Sequence, residues 1–141
     1  MVHCKSMSTP MELNFKKLCG NVVGPTLENP TEYRQLIGAL MFLVNSCLDI
    51  CFAVNTLSQH MAEPHHIHWI GAKNLLRYLR GTINHGLTYT VGSLRLHGYT
   101  GADWAGSVVD RKTTSGCCFT LGSASISWMS RKKKSVALST T

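Results

Sequence analysis

The hydrophobic period of this chain changes at Gly81, and that change divides the fold into two unlike parts. Before Gly81 apolar residues return at helical spacing. After it they alternate, as along a half-buried strand. No single layer of helices or of strands accommodates both patterns, so the expected fold class is α+β.

The helical part starts well. Asn29-Pro30-Thr31-Glu32 predicts a helix start: Asn caps, Pro suits the first helical position, and Glu stands three residues past the cap. Leu36, Ile37, Leu40, Leu43 and Val44 follow at helical spacing. A break over residues 45–48 leads to a second helix from about Asp49, with Ile50, Ala53, Val54, Leu57 and Met61 as its stripe. Pro64 opens a third helix, which stops at Gly81 and carries Trp69, Ala72, Leu76 and Leu79 on its apolar side. Short connections between such helices predict a small antiparallel cluster. Residues 1–29, broken by Pro10, Gly20, Gly24 and Pro25, hold no period and are expected to form an extended arm or linker.

Beyond Gly81, residues 86–91, 94–100, 114–121 and 125–129 alternate and predict strands of an antiparallel meander. Gly92-Ser93 and Gly122-Ser123 are its tight turns. Residues 105–113 are polar and loop-like. The domain expectation is therefore an arm over 1–29, a helical cluster over 30–81 and a β-meander over 82–141.

Charge follows the same division. Residues 1–63 hold five acids (Glu12, Glu28, Glu32, Asp49, Glu63) against four bases. Residues 64–141 hold two acids, Asp103 and Asp110, against ten bases, a net +8 that with the −1 of the first part gives the chain its +7. A basic half suits an anionic partner, and weak, salt-sensitive binding to nucleic acid is expected. Arg131, Lys132, Lys133 and Lys134 are the candidate contacts, expected in a solvated loop after the last strand. Hydrophobic residues make up 44% of the chain, which excludes wholesale disorder.

Other side chains exclude more than they suggest. The six cysteines (4, 19, 47, 51, 117, 118) do not form a disulfide pattern. Cys47 and Cys51 lie one helical turn apart in an apolar segment, and Cys117 and Cys118 point to opposite strand faces. All six are expected as thiols, which fits a reducing compartment. No continuous apolar segment resembles a signal peptide, and the apolar run over residues 39–44 is too short to span a bilayer. His60, His65, His66 and His68 lack a partnering cysteine pair and are expected to be a polar cluster around a first helical turn, not a metal site. Trp104 and Trp128 are expected in the core of the sheet. No cofactor is expected.

Longer segments carry a resemblance. Thr31 through Leu43, Leu48 through Val54, His68-Trp69 and Leu76 through Thr82 resemble segments of copia-type retrotransposon polyproteins. So do Asp103-Trp104-Ala105-Gly106, residues 110–116, Ile126-Ser127-Trp128 and Ser135 through Thr141. The resemblance covers nearly the whole chain. It implies the end of a reverse transcriptase region followed by the start of an RNase H-like sheet. Leu48 departs from the family, which usually has Pro before Asp-Ile.

RNase H chemistry needs several carboxylates to hold two Mg²⁺ ions about 4 Å apart around a phosphate. The resemblance places the first of these acids where this chain has Gly101. Asp103 matches a second, non-equivalent Asp and is a remnant acidic residue. The family's next acid, a Glu, follows Ser-Thr-Thr, where the sequence ends at Thr141. The expectation is therefore no catalytic residue, no metal and no enzyme.

Arg77-Tyr78-Leu79-Arg80 matches the RxLR pattern, and similar fragments resemble downy-mildew secreted RxLR effectors. That resemblance implies a non-catalytic protein that modulates plant cell death or immunity. It would be delivered into the host nucleus or cytoplasm and bind a host target that the sequence does not identify. The usual signal peptide before the motif and Glu-Glu-Arg after it are not in this sequence. The alternatives are a residual nucleic-acid-binding module of RNase H type, or a degraded element without function.

Overall fold

The computed structural model describes residues 4–12, 15, 24–103, 106, 107 and 110–136. It is α+β, as expected, and divides into two units, Met1–Asn84 and His85–Thr141.

Among its described residues the first unit packs its helices around one core. Helix α1 (Pro30–Leu43) begins at Asn29, whose side chain accepts from the Thr31 N–H. A 3₁₀ turn (Leu48–Ile50) leads into α2 (Cys51–Ser58), and α3 spans His66–Gly81. The core between them is Tyr33, Ile37 and Leu40 of α1, Ile50, Ala53, Val54 and Leu57, and Ala72, Leu75 and Tyr78 of α3. Tyr33 is fully buried, and its hydroxyl donates to Leu57 O at 2.8 Å, so the phenol enters the core with its polar atom satisfied.

One expectation for this unit is corrected. The stripe of α3 is rotated by one residue: His68, Gly71, Ala72, Leu75 and Tyr78 face inward, while Trp69, Leu76 and Leu79 flank them. Gly71 allows this rotation, because a side chain there would meet Phe15 and Leu57. Residues 4–12 and 24–28 are irregular and pack along the helices. Phe15 is helical and buried, Met7, Met11 and Leu27 pack against the core, and Thr26 bridges to His65. Sparse apolar residues at irregular spacing carry no period, yet each can fill a gap left by regular helices.

The second unit is a three-stranded antiparallel sheet in the order β1 (Leu96–Asp103), β2 (Lys112–Leu121), β3 (Ala124–Val136). Register runs from Leu96 opposite Leu121 to Asp103 opposite Thr114. Gly122 takes φ +61° in the tight turn between β2 and β3, where glycine carries no steric cost. Phe119 lies across Gly98 on the neighbouring strand, covering the missing side chain.

Residues 86–91, expected as a strand, form none. They are tied to the β2–β3 turn by single bonds: Tyr89 OH donates to Ser125 O at 2.9 Å, and Thr90 N–H to Ser123 Oγ at 3.0 Å. An alternating pattern needs a free strand edge in register, and these residues make side-chain contacts instead of a ladder. β3 runs well past Met129, so Arg131 through Lys134 lie in a strand and not in a loop.

Among the described residues of this unit only Thr113, Thr114 and Ala124 are buried. Trp128, expected in a core, is half-buried, and Trp104 lies outside the described residues. Leu96, Tyr99, Phe119 and Met129 are exposed. The helical unit holds the larger share of buried apolar side chains.

Candidate functional site

The motif Arg77-Tyr78-Leu79-Arg80 lies in the last turns of α3, and the helical period splits it. Tyr78 turns inward and is buried. Its hydroxyl donates to Asp49 Oδ2 at 2.6 Å. That hydrogen bond, then burial and the Asp49 charge, push the phenol up to about 12. Leu79 packs against the core.

Arg77 and Arg80, three residues apart, share the outer face. Arg77 Nε donates to Lys5 O at 2.7 Å and Nη1 to Asn74 Oδ1 at 3.3 Å. Arg80 Nη1 donates to Cys4 O and approaches Cys4 Sγ at 3.7 Å. Sequence reasoning placed the two arginines on one face. It did not foresee that the first residues of the chain occupy that face, because nothing in an aperiodic segment marks what its carbonyls bond to.

The acidic remnant sits at the end of β1. Asp103 is half-buried, stands opposite Thr114 and accepts from its N–H. Gly106 passes against the Asp103 carboxylate. Gly101 shares the strand face of Asp103 and stands opposite Gly116, with open space where a side chain would point.

Asp110, the other acid of the basic half, is engaged separately. Lys132 Nζ lies 3.0 Å from Asp110 Oδ1 and donates to Ser107 Oγ at 3.2 Å. Lys112 Nζ lies 3.8 Å from Asp110 Oδ2. Partial burial opposes ionisation of Asp110, but hydrogen bonds from Ser107, Lys132 and the Lys112 N–H, with the Lys132 charge, hold its carboxyl down at about 2. Among the described residues no group of three His, Cys, Asp or Glu side chains is placed to hold a metal ion.

Of the basic run, Lys132 is therefore spent on Asp110, while Arg131, Lys133 and Lys134 are exposed on the edge strand. Lys132→Ala is expected to shift the unfolding midpoint of the sheet unit only slightly, by no more than about 1 kcal/mol, because the pair is partly exposed. Urea denaturation checks this. The effect should vanish as pH falls from about 4 to about 2, where the carboxylate is protonated.

His60, His65 and His68 are brought together as a polar cluster around the first turn of α3, with the His68 ring turned inward. His68 is fully buried. Its Nδ1 accepts from the His65 N–H at 2.9 Å, the role a Glu plays in a capping box. Its ring stacks on His60 with centroids 3.9 Å apart and meets His65 edge-on. Burial first, then the neighbouring His60 and His65, lower its pKa to about 4. His66 is exposed and lines a shallow cavity of about 380 Å³ with Glu28, Glu32, Trp69 and Lys73.

Cys4, Cys47, Cys117 and Cys118 are free thiols. Cys117 stands opposite Met129, Cys118 stands opposite Trp128, and Cys118 Sγ lies 3.4 Å from Ser125 Oγ. No helix among the described residues is long and apolar enough to cross a membrane.

Comparison with known proteins defines the class to which this α+β chain belongs. Over its whole length it is 42% identical to the Retrovirus-related Pol polyprotein from transposon RE2 of Arabidopsis thaliana, and it spans 10% of that protein. It is 43% identical, with the same coverages, to the polyprotein from transposon RE1 of the same plant. Over 77% of the chain it is 44% identical to Secreted RxLR effector protein 161 of Plasmopara viticola, of which 78% is covered. No family model and no solved structure matches the chain. The chain belongs to the family of copia-type retrotransposon Pol polyproteins and their shorter relatives. It spans about a tenth of the length of the transposon polyproteins it matches.

Proposed function

We propose that this chain acts by binding and not by catalysis, as a secreted RxLR-type effector that dampens host-plant cell death. The observation that carries this reading is the 44% identity to a secreted effector of which the chain covers 78%, a far larger share than of the polyproteins. The pattern Arg77-Tyr78-Leu79-Arg80 adds to it. The partner is a host protein. The test is intact-mass spectrometry of secreted material against cell extract, paired with transient expression in leaves challenged by a cell-death elicitor. A secreted species near 15.5 kDa that suppresses cell death supports the reading. Peptides confined to cells, running on past Thr141, overturn it and assign the chain to a polyprotein.

Absence of nuclease activity belongs to the same reading. Gly101 supplies no metal ligand. Asp103 and Asp110 are bonded to different groups, and a Mg²⁺ pair needs several oxygen ligands in one place. Gly101→Asp fits the open space at that position and is expected to leave cleavage of an RNA–DNA hybrid with Mg²⁺ at background. Cleavage by either chain would refute the non-catalytic reading.

A second reading, binding to nucleic acid, is favoured by the exposure of Arg131, Lys133 and Lys134 along one edge strand. Such binding would be weak and would fall steeply with added salt.

A further inference from the structure

We propose that residues 4–12 are a cis-acting strap over the outer face of α3, and that the Arg77 and Arg80 donors now bonded to the Lys5 and Cys4 carbonyls become available to a partner only when this strap leaves. The proposal rests on the effector reading for its consequence, but its structural content stands on contacts of its own.

The contacts are specific in place and tolerant in sequence. The Cys4 and Lys5 carbonyls accept from Arg80 and Arg77. The Met7 N–H donates back to Arg77 O at 3.4 Å. Further along, Asn74 Nδ2 reaches Glu12 Oε1 at 3.5 Å. Met7 and Met11 anchor the segment by packing against the core. Gly81 lets the strap cross the end of α3, since a Cβ there would stand 2.9 Å from Ser6 Cβ.

Most of these bonds use strap main chain, so they select an extended segment that offers successive carbonyls. The partner displacing the strap is an extended peptide that offers equivalent successive carbonyls. The bonds are few and lie near the surface, which places the strap at the low end of local stability. Partner binding and strap release are then linked: occupancy by one costs affinity for the other.

The test uses the full chain and an arginine-selective dicarbonyl reagent, phenylglyoxal, with each site followed by peptide mass spectrometry. Arg95 and Arg131, exposed as Arg80 is, are the internal references, so that a slower rate at Arg80 reads its bonds to the strap and not burial. In the wild type Arg77 and Arg80 should react about tenfold more slowly than the references, as charge-assisted hydrogen bonds would impose. Gly81→Ala leaves both arginines intact and pushes on Ser6; it should bring their rates level with the references.

Hydrogen exchange at the Met7 amide in the wild type gives a reading that needs no variant, and protection there is expected. Equal reaction rates in the wild type, with an unprotected Met7 amide, overturn the strap. A strap that holds while neither chain suppresses cell death refutes the effector reading alone. Suppression with no strap refutes the strap alone.

Discussion

Gly71→Val is expected to lower the stability of the helical unit by about 2–3 kcal/mol. Gly71 lies on the buried face of α3, and a Cβ added there would stand 2.5 Å from Phe15 Cζ and 3.1 Å from Leu57 Cδ2. Both distances are inside van der Waals contact. The side chain that must yield is Phe15, which is 5% exposed. Its displacement returns a phenyl ring to water, a cost of about 1.5–3 kcal/mol. Leaving glycine improves helix propensity by less than about 1 kcal/mol, so crowding outweighs it.

Urea denaturation followed by helix circular dichroism should show a lower midpoint with an unchanged slope. The pair also couples. Phe15→Leu costs stability alone, but combined with Gly71→Ala it should cost less than the two changes summed, because the shorter side chain vacates the contested space. Additive losses would mean that Phe15 does not pack on Gly71.

That contact also shows where sequence reasoning reaches its limit. Helical spacing located α1, α2 and α3 and the buried Ile37, Leu40, Ala53, Val54 and Leu57, because a regular element repeats its signal every turn. It placed the α3 stripe one residue off. Trp69, Leu76 and Leu79 look like a seam, and the glycine that lets α3 sit close to Phe15 has no hydrophobicity to register. Residues 4–12 and Phe15 carry no period at all, so their place on α3 was invisible. The strands gave a similar division. Positions 94–100, 114–121 and 125–129 were legible from alternation, whereas residues 86–91 alternate without joining a ladder, and the cationic end of β3 looks like a loop by composition. At the candidate site the sequence showed the motif, Gly101 and Asp103. It could not show that Lys132 is committed to Asp110, a pairing that depends on the turn of the chain before β2.

His68 should make the helical unit acid-sensitive between pH 6.5 and about 4. An unfolded histidine titrates near 6.5 and His68 in the folded chain at about 4, because its buried ring faces His60 and His65. Tyr33 of α1 stands 6.5 Å away, ring to ring, and Glu63 approaches His65 at 4.0 Å, so the nearest carboxylate serves His65 and not His68. Nδ1 already accepts the His65 N–H, and Nε2 has no hydrogen-bond partner among the described residues. Protonation would put the ring's second proton on Nδ1, facing the His65 N–H donor, and a charge in the core.

The sign follows. Above pH 6.5 both states are neutral and stability is complete. As pH falls from 6.5 to about 4 the unfolded chain takes up a proton that the folded chain refuses, and stability drains away by on the order of 3 kcal/mol. Urea midpoints at pH 7.5, 6 and 5 should fall in that order. His68→Phe keeps the stacked ring and removes the titration. It should flatten the series, at a cost near 1 kcal/mol at pH 7.5 for the lost cap. An unaltered slope in that variant would assign the acid sensitivity to His60 or His65, and an NMR titration of the wild-type His68 ring near 6.5 would place it in solvent.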